Sequence, residues 1–339
     1  MEDKIIALLV RFLGDYGKQS GEWYSFNCPS CAEEKGVDAD GKYNLEVNPS
    51  LDTLAFHCWV CKDTNGMKGP ISKLIKRYGG PKILAEYRSL LAEYKSSRMY
   101  MLGGARNGED LASDFHVIEE VQPPKAMKPL RKGDPDAEQA LNYVYSRGIN
   151  DKMIERFNLG YIANDKRAKF IERERVYIPS FDRFDEMTYW QGRDYTDKKK
   201  QKTFNPSVKK EDVVFNEGML NWYQPITIVE GPFDHMAVPN SIPLLGKTLD
   251  TDTVVYSTIV SQSKSYVNVF LDSDARQSAL KLYRLLEKTQ LKGRVRLIEC
   301  PDEFDPAKLF EVYGYKGVLN VMNTARKLSE YELMDVFRR

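Results

Sequence analysis

The sequence predicts a multidomain α/β protein. Three features carry that reading: two CxxC pairs near the N-terminus, a Gly- and Pro-rich stretch behind them, and a later alternation of short apolar strands with helical segments. A chain of 339 residues has room for two or three compact units. Hydrophobic residues at 42% and charged residues at 29% describe a soluble, globular composition, and the longest apolar runs, such as Ile5 to Val10, fall far short of the ~20 residues that span a bilayer. A membrane-spanning class is therefore excluded. Fifty Lys and Arg against 49 Asp and Glu leave a net charge of +1, so any nucleic-acid surface has to come from local clustering. The N-terminus carries Glu2 and Asp3 and no small-residue cleavage signal, which does not read as a secretory peptide; the expected compartment is a cytoplasm.

The first unit is expected over residues 1–101. It opens on an amphipathic helix through Ile5, Ile6, Leu9, Phe12 and Leu13, followed by strands Asn44–Asn48 and Thr53–His57, which alternate in polarity. Two helices then follow, through Ile71, Leu74, Ile75 and Tyr78 and through Leu84, Tyr87, Leu90 and Leu91, separated by Gly79-Gly80-Pro81. Residues 102–136, with Gly103-Gly104, Pro123-Pro124, Pro129 and Pro135, read as a linker; its Lys125, Lys128, Arg131 and Lys132 belong either to a solvated tether or to a phosphate contact. A second unit over 137–224 has helical stretches at 137–146 and 151–157, then strands Val176–Pro179 and Met187–Gln191. From 225 to 311 the strands Ile226–Val229, Tyr266–Leu271 and Val295–Ile298 alternate with helices, the signature of a small α/β sheet. Residues 312–339 are expected to form a C-terminal helical segment, with Leu319 to Arg339 helical.

Cys28, Cys31, Cys58 and Cys61 form two CxxC pairs separated by 26 residues, a spacing that fits a zinc ribbon. Four thiolates close a tetrahedral shell, which is the chemistry of one structural Zn²⁺, since catalytic zinc keeps a position open for water. His57 is expected to be a neighbour of this site and not a ligand, and Cys300 a buried structural thiol. Trp23, Tyr24, Tyr43 and Trp59 either fill the core of a small domain or stack on unpaired bases; at least one is expected to stack.

The apolar strand Ile226–Val229 runs directly into Glu230-Gly231-Pro232-Phe233-Asp234, a carboxylate at a strand end followed by a glycine expected to permit a tight turn. A second strand ends in Asp272-Ser273-Asp274, about 40 residues on, and its alternate carboxylates can converge with Glu230 on one or two oxygen-coordinated ions. Mg²⁺ is the natural occupant, with metal-assisted phosphoryl transfer as the implied chemistry. Asp234 and Asp305 either complete a second metal position or act as caps and turn residues. Between Arg193 and Lys210 seven basic residues face two acids, the clearest local phosphate-binding candidate of the chain.

These residues resemble the Toprim-type DNA primases of bacteria and their phages, and the likeness covers most of the chain. Its strings are the PxxC knuckle with Phe56-His57-Cys58-Trp59-Val60-Cys61; Arg147-Gly148-Ile149 through Phe157-Asn158-Leu159-Gly160-Tyr161; Gln191-Gly192-Arg193 with Lys202-Thr203-Phe204-Asn205-Pro206; and Glu230-Gly231, Leu244-Leu245-Gly246-Lys247-Thr248, Leu271-Asp272-Ser273-Asp274 and Asp305-Pro306. Cys31 stands where many members have histidine, a change that keeps zinc ligation possible. The resemblance implies a template-binding zinc ribbon, a basic nucleotide-handling α+β subdomain over 137–224 and a Toprim subdomain over 225–311. It implies Glu230, Asp272 and Asp274 as ligands of catalytic Mg²⁺, for which Mn²⁺ is a possible substitute, with Asp234 and Asp305 in support. Arg193, Lys202, Lys209 and Lys247 would hold nucleotide or template.

The product it implies is a short RNA primer, made on single-stranded DNA from ribonucleoside triphosphates in DNA replication, with a separate replicative helicase and a single-strand-binding protein as partners and no membrane. The compact length is most like a stand-alone phage primase, acting in the host cytoplasm. Two rivals share these motifs. One is a non-catalytic recombination mediator that joins a zinc motif to a Toprim domain; the other is a Toprim nuclease or topoisomerase fragment.

Overall fold

The structure, a computed structural model, describes residues 1–51, 53–102, 121–329 and 332. Two compact units divide the chain, Met1–Val117 with Arg183–Glu186 and Ile118–Asp182 with Met187–Arg339. Among the described residues no helix is long and apolar enough to cross a membrane.

The first unit opens on α1 (Glu2–Leu13), which buries Ile5, Ile6, Leu8 and Leu9 on one face. Then come β1 (Lys18–Ser20), β2 (Trp23–Phe26), α2 (Pro29–Lys35), β3 (Leu45–Asn48), β4 (Ala55–Cys58) and β5 (Lys68–Pro70), whose strands pair antiparallel in the order β1-β2-β3-β4-β5. Register puts Leu45 opposite Cys58 and Val47 opposite Phe56, so both strands present buried side chains to the same face. That face packs on α1 and on α3 (Ile71–Leu74), which runs through a π turn at Ile75–Gly79 into α4 (Gly80–Leu102). The expected break between the helices falls at Gly80, whose φ of 75° and ψ of 170° fit no helix.

The second unit contains two sheets. β6 (Lys128–Pro129), α5 (Glu138–Ser146), α6 (Asp151–Arg156), β7 (Gly160–Ile162), β8 (Arg175–Phe181), β9 (Met187–Asp194) and β10 (Thr203–Phe204) build an antiparallel meander in the order β10-β9-β8-β7-β6. β11 (Ile226–Val229), α7 (Pro232–Ala237), β12 (Ser241–Pro243), α8 (Val254–Gln262), β13 (Val267–Val269), α9 (Arg276–Glu287), β14 (Val295–Leu297) and α10 (Pro306–Met322) form an α/β layer with a four-stranded parallel sheet, order β12-β11-β13-β14. Every residue of β11, β12 and β13 is buried, as parallel strands covered on both faces must be.

Two expectations are corrected. The proposed linker does not extend to Asp136: Val121 and Leu130 are buried and β6 pairs with β7, placing Lys128 opposite Tyr161. Composition misled here because proline, which lacks an N–H, is tolerated on an edge strand such as β6. Residues 103–120 lie outside the described residues. The C-terminal helix is also displaced. α10 starts at Pro306, so the boundary at 311 falls inside it; it breaks at Gly314 (φ 64°) and ends at Met322. Arg326 then makes an antiparallel bridge with Leu297 at the edge of β14, and Leu328 is buried with its N–H donated to Tyr283 at 3.2 Å. Pairing the exposed edge of β14 outweighs one more helical turn. Residues 330, 331 and 333–339 lie outside the described residues.

Candidate metal centres and basic loop

In the first unit the four cysteines converge. Sγ separations are 3.6 Å for Cys28–Cys61, 3.7 Å for Cys31–Cys58 and 3.5 Å for Cys31–Cys61, and all four residues are buried. Four thiolates held ~2.3 Å from one ion form a tetrahedron with edges of about 3.8 Å, so these residues fit a single closed metal site. Burial pushes the Cys28 and Cys31 thiols up, Cys31 to about 12. Burial acts likewise on Cys58, yet backbone hydrogen bonds from Cys61 and Val60 hold it below the ordinary thiol value. The segments folding this site are short: α2 starts with Pro29 at its first position and buries Cys31, while Cys58 ends β4.

His57 is not in the cysteine cluster; its ring lies 5.1 Å from Trp23 and 4.5 Å from Trp59, edge to face, and its Nε2 is 3.4 Å from Glu46. Trp59 is 58% exposed, with the Lys62 ammonium 4.8 Å from its ring centroid, and Tyr43 is also exposed. Trp23 and Tyr24 are half-buried. Trp23, His57 and Trp59 thus form an aromatic row beside the knuckles.

In the second unit the acids converge by topology. β11, β12 and β13 are parallel, so Glu230, the 244–248 loop and Asp272 all leave the same edge of the sheet, the carboxyl edge. From β11 the chain crosses to one side to make β12 and then to the other to make β13, which makes the β11/β13 crevice a topological switch point where such sheets bind ligands. One carboxylate oxygen from each of Glu230, Asp272 and Asp274 lies within 4.8 Å of the others. Glu230 Oε2 and Asp272 Oδ1 are buried and accept no hydrogen bond. Acceptors left bare in a cluster of like charge are what a divalent cation with hard oxygen ligands satisfies, so these residues fit such an ion.

The electrostatics agree. Burial, then the charges of Asp234, Glu230, Asp305 and Asp274, push the Asp272 carboxyl up to about 8. Burial and Asp305 push Asp234 up to about 7, against hydrogen bonds from Ala307 and Gly231 that lower it. Glu230 is raised mainly by burial, with Lys247 acting against the rise. Each folded-state value lies above the unfolded carboxylate range, so the metal-free protein is expected to lose stability as pH rises through about 7 to 8. Divalent affinity is expected to rise across the same window, because the ion displaces those protons. His235, buried and held down near 4, stays neutral there and adds nothing to this change. Calorimetric titration of Mn²⁺ at pH 6.5 and 8.5 checks the sign; a weaker affinity at 8.5 would contradict it.

Asp234 and Asp305 serve as braces. Asp234 accepts from Gly231 N–H at 2.9 Å and from Ala307 N–H at 3.0 Å, tying the β11–α7 turn to the start of α10. Asp305 caps α10 by accepting from Lys308 N–H at 2.5 Å. Gly231 is extended, with φ −131° and ψ 172°, so the turn does not require glycine for its backbone conformation. Cys300 is half-buried and donates to Phe304 O at 3.3 Å; burial and the nearby Asp272, Asp305 and Asp234 raise its thiol to about 12.

The basic residues separate into groups. Lys247 Nζ donates to Asp274 Oδ2 at 2.9 Å and so belongs to the carboxylate cluster. Arg193, Lys202 and Lys209 make no hydrogen bond or ion pair with the three carboxylates. Arg193 lies on β9 between Val176 and Thr203, Lys202 bonds Asp197, and Lys209 is exposed. Lys199 is held by Glu174 at 3.4 Å.

The sequence reading missed what shapes this loop. Arg175 is 0% exposed and donates to the carbonyls of Ile171 (2.7 Å), Gly192 (3.3 Å), Lys202 (3.0 Å) and Gln201 (2.8 Å). Asp194 accepts from the N–H groups of Thr196 (3.0 Å) and Lys199 (3.0 Å), stitching the loop from within. A Cβ on Gly192 would lie 2.8 Å from the Tyr177 ring, so only glycine lets Arg175 and Tyr177 pack there. Nothing in a strand pattern marks a buried arginine. Arg175→Met is expected to destabilise the second unit by about 3 kcal/mol or more, since it strips several carbonyls of a charged donor; urea unfolding measures this.

No family model matches the chain. It is similar to the DNA primase of Clostridium acetobutylicum, 24% identical over 242 residues, which covers 59% of this chain and 39% of that protein. It is also similar to the DNA primase of Lactococcus lactis, 22% identical over 351 aligned positions, covering 87% of this chain and 52% of that protein. The chain thus spans between two fifths and about half the length of these curated relatives. Among solved structures, the zinc-binding and RNA polymerase domains of the Aquifex aeolicus primase superpose with a TM-score of 0.53 at 19% identity, covering 98% of this chain and 88% of that one. The fold is therefore that of a primase zinc-binding domain followed by a primase polymerase domain.

Proposed function

We propose that this chain is a DNA primase, a nucleotidyltransferase that makes short RNA primers on single-stranded DNA in replication. The observation that supports this most is the convergence of Glu230, Asp272 and Asp274, with bare buried oxygens, at the switch point of the parallel sheet. It occurs in a chain that shares its fold, over nearly its whole length, with a primase.

In this reading the cysteines hold one structural Zn²⁺, because four buried thiolates leave no open position. The carboxylates hold Mg²⁺, or Mn²⁺ in its place, as hard oxygen donors do. That ion, when bound, neutralises charge on the nucleotide phosphates and activates the primer 3′-hydroxyl. Glu230 and Asp272 present ligand oxygens from two adjacent strand ends, and Asp274 adds a third from the turn between them and α9. Asp234 and Asp305 hold the surrounding turns in place. Lys247, on the loop after β12, and Arg193, Lys202 and Lys209 receive nucleotide or template phosphates, and Arg175 and Asp194 keep the loop that carries Lys202 in one shape. Positioning then supplies much of the rate: the 3′-hydroxyl gives up its proton to water as its oxygen bonds to the α-phosphorus, the bond from that phosphorus to the α,β-bridging oxygen breaks, and pyrophosphate leaves with that oxygen. The row Trp23, His57 and Trp59 offers stacking faces to unpaired template bases. A separate helicase and a single-strand-binding protein are the partners this activity calls for, and the cytoplasm is where it would act.

Pyrophosphate release tests the reading. It is expected to need single-stranded DNA, ribonucleotides and Mg²⁺ together. Cleavage of the DNA without pyrophosphate would support a nuclease instead, and DNA binding without either product would support a recombination mediator.

A further inference from the structure

The loop after β12 has features that a passive turn does not need. Leu245 sits in the left-handed region at φ 55°, an uncommon conformation for a branched side chain. Its carbonyl accepts from Lys210 Nζ at 3.0 Å. At Gly246 a Cβ would lie 2.7 Å from that same ammonium, so a side chain there would displace the tip of Lys210 from the Leu245 carbonyl. One lysine thus anchors the base of the loop, and the next residue, Lys247, extends from it to Asp274 at 2.9 Å. The pair is open to water, with Lys247 47% and Asp274 72% exposed. Exposed pairs are weak and readily exchanged. Beside it, Glu230 Oε2 and Asp272 Oδ1 are buried and accept nothing. The ammonium therefore covers the exposed rim of the cluster and leaves its buried oxygens free.

We propose that Lys247 is a built-in counter-cation of the carboxylate cluster: its ammonium holds Asp274 in the absence of metal, yields that carboxylate to an arriving divalent ion, and then meets the phosphates that accompany the ion. This rests on reading the cluster as the metal site of a nucleotidyltransferase. The stem of Lys247 is long enough to swing while Lys210 keeps the loop base fixed, so the exchange moves one side chain and no backbone. Competition follows: metal and ammonium oppose each other at Asp274, whereas nucleotide and ammonium attract.

The test is Mn²⁺ binding to the nucleotide-free full chain, read by electron paramagnetic resonance, for wild type, Lys247→Gln, Lys247→Arg, Asp274→Asn and Asp272→Ala. Lys247→Gln is expected to tighten Mn²⁺ about threefold to tenfold at low ionic strength, with the difference shrinking in high salt, and Lys247→Arg to stay near wild type. In an Asp274→Asn background the Lys247→Gln effect is expected to fall away. With Mg²⁺ saturating, Lys247→Gln is expected to raise the KM for ribonucleotide about tenfold, a direction opposite to its effect on the bare ion. Unchanged or weaker Mn²⁺ binding in Lys247→Gln overturns this proposal while leaving the primase reading in place. Mn²⁺ binding that Asp272→Ala does not weaken overturns the metal reading as well.

Discussion

Asp272→Ala is expected, if the proposed primase reading holds, to lower template-dependent RNA synthesis by about a thousandfold or more, because it would remove one of the three carboxylates proposed to hold the ion that carries charge in the transition state. The same change is expected to leave the metal-free protein no less stable. Burial first, and then the charges of Asp234, Glu230, Asp305 and Asp274, push the Asp272 carboxyl up to about 8, so its charge is a burden to the fold without an ion. Above pH 8 in the presence of a chelator the variant should melt at or above the wild-type temperature. The two readouts together separate a role in chemistry from a role in packing. A variant that makes primers at the normal rate would remove Asp272 from the metal site, and one that melts far lower would make it a structural residue.

The second large effect concerns the cysteines. Cys28, Cys31, Cys58 and Cys61 belong to the same buried cluster as Phe26, Leu45, Val47 and Phe56, at the end of a sheet of three- and four-residue strands. Such a sheet has little else to hold its knuckles together. Structural zinc contributes about 10 to 16 kcal/mol, comparable to the whole stability of a domain. Cys58→Ser, or stripping the ion with a chelator, is therefore expected to melt the ribbon in the first unit. The second unit, with its own two sheets and cores, should keep its transition. Calorimetry with metal analysis would show one transition lost and one retained, and template affinity should fall about tenfold with the stacking surface. Full retention of the first transition without metal would contradict a folding role for the ion.

Much of this was legible in the sequence because the signals were local. The CxxC spacing, the apolar run Ile226–Val229 ending in Glu230 and the strand leading to Asp272 and Asp274 each carry their chemistry within a few residues. Long or strongly patterned elements were legible for the same reason, α1 and β8 among them. The short strands β1, β7 and β10 were not, since pairing across the sheet defines them and no β-branched apolar run marks them as it does β13 and β14. Pro129 read as linker chemistry although it lies on an edge strand.

The basic run shows the other limit. Sequence gives the charge of Lys199 and Lys202 and cannot give their partners, Glu174 and Asp197. It cannot show that Arg175 is buried behind the loop, or that Lys247 rests on Asp274. Nor can it give Gly231, Ala307 and Lys308 as the N–H partners of Asp234 and Asp305. The contacts of Arg175 with Gln201, Lys247 with Asp274 and Asp234 with Ala307 join residues far apart in the sequence, whose pairing the fold sets.

The most direct measurement is the size and chemistry of the product. The purified, zinc-replete protein would be incubated with single-stranded DNA of varied sequence, labelled ribonucleotides and Mg²⁺, and the products resolved by gel and mass spectrometry. Primase activity would give short oligoribonucleotides that carry a 5′-triphosphate, depend on the template sequence and vanish in Asp272→Ala. Shortened DNA with no RNA, or RNA whose yield is indifferent to Asp272, would contradict it.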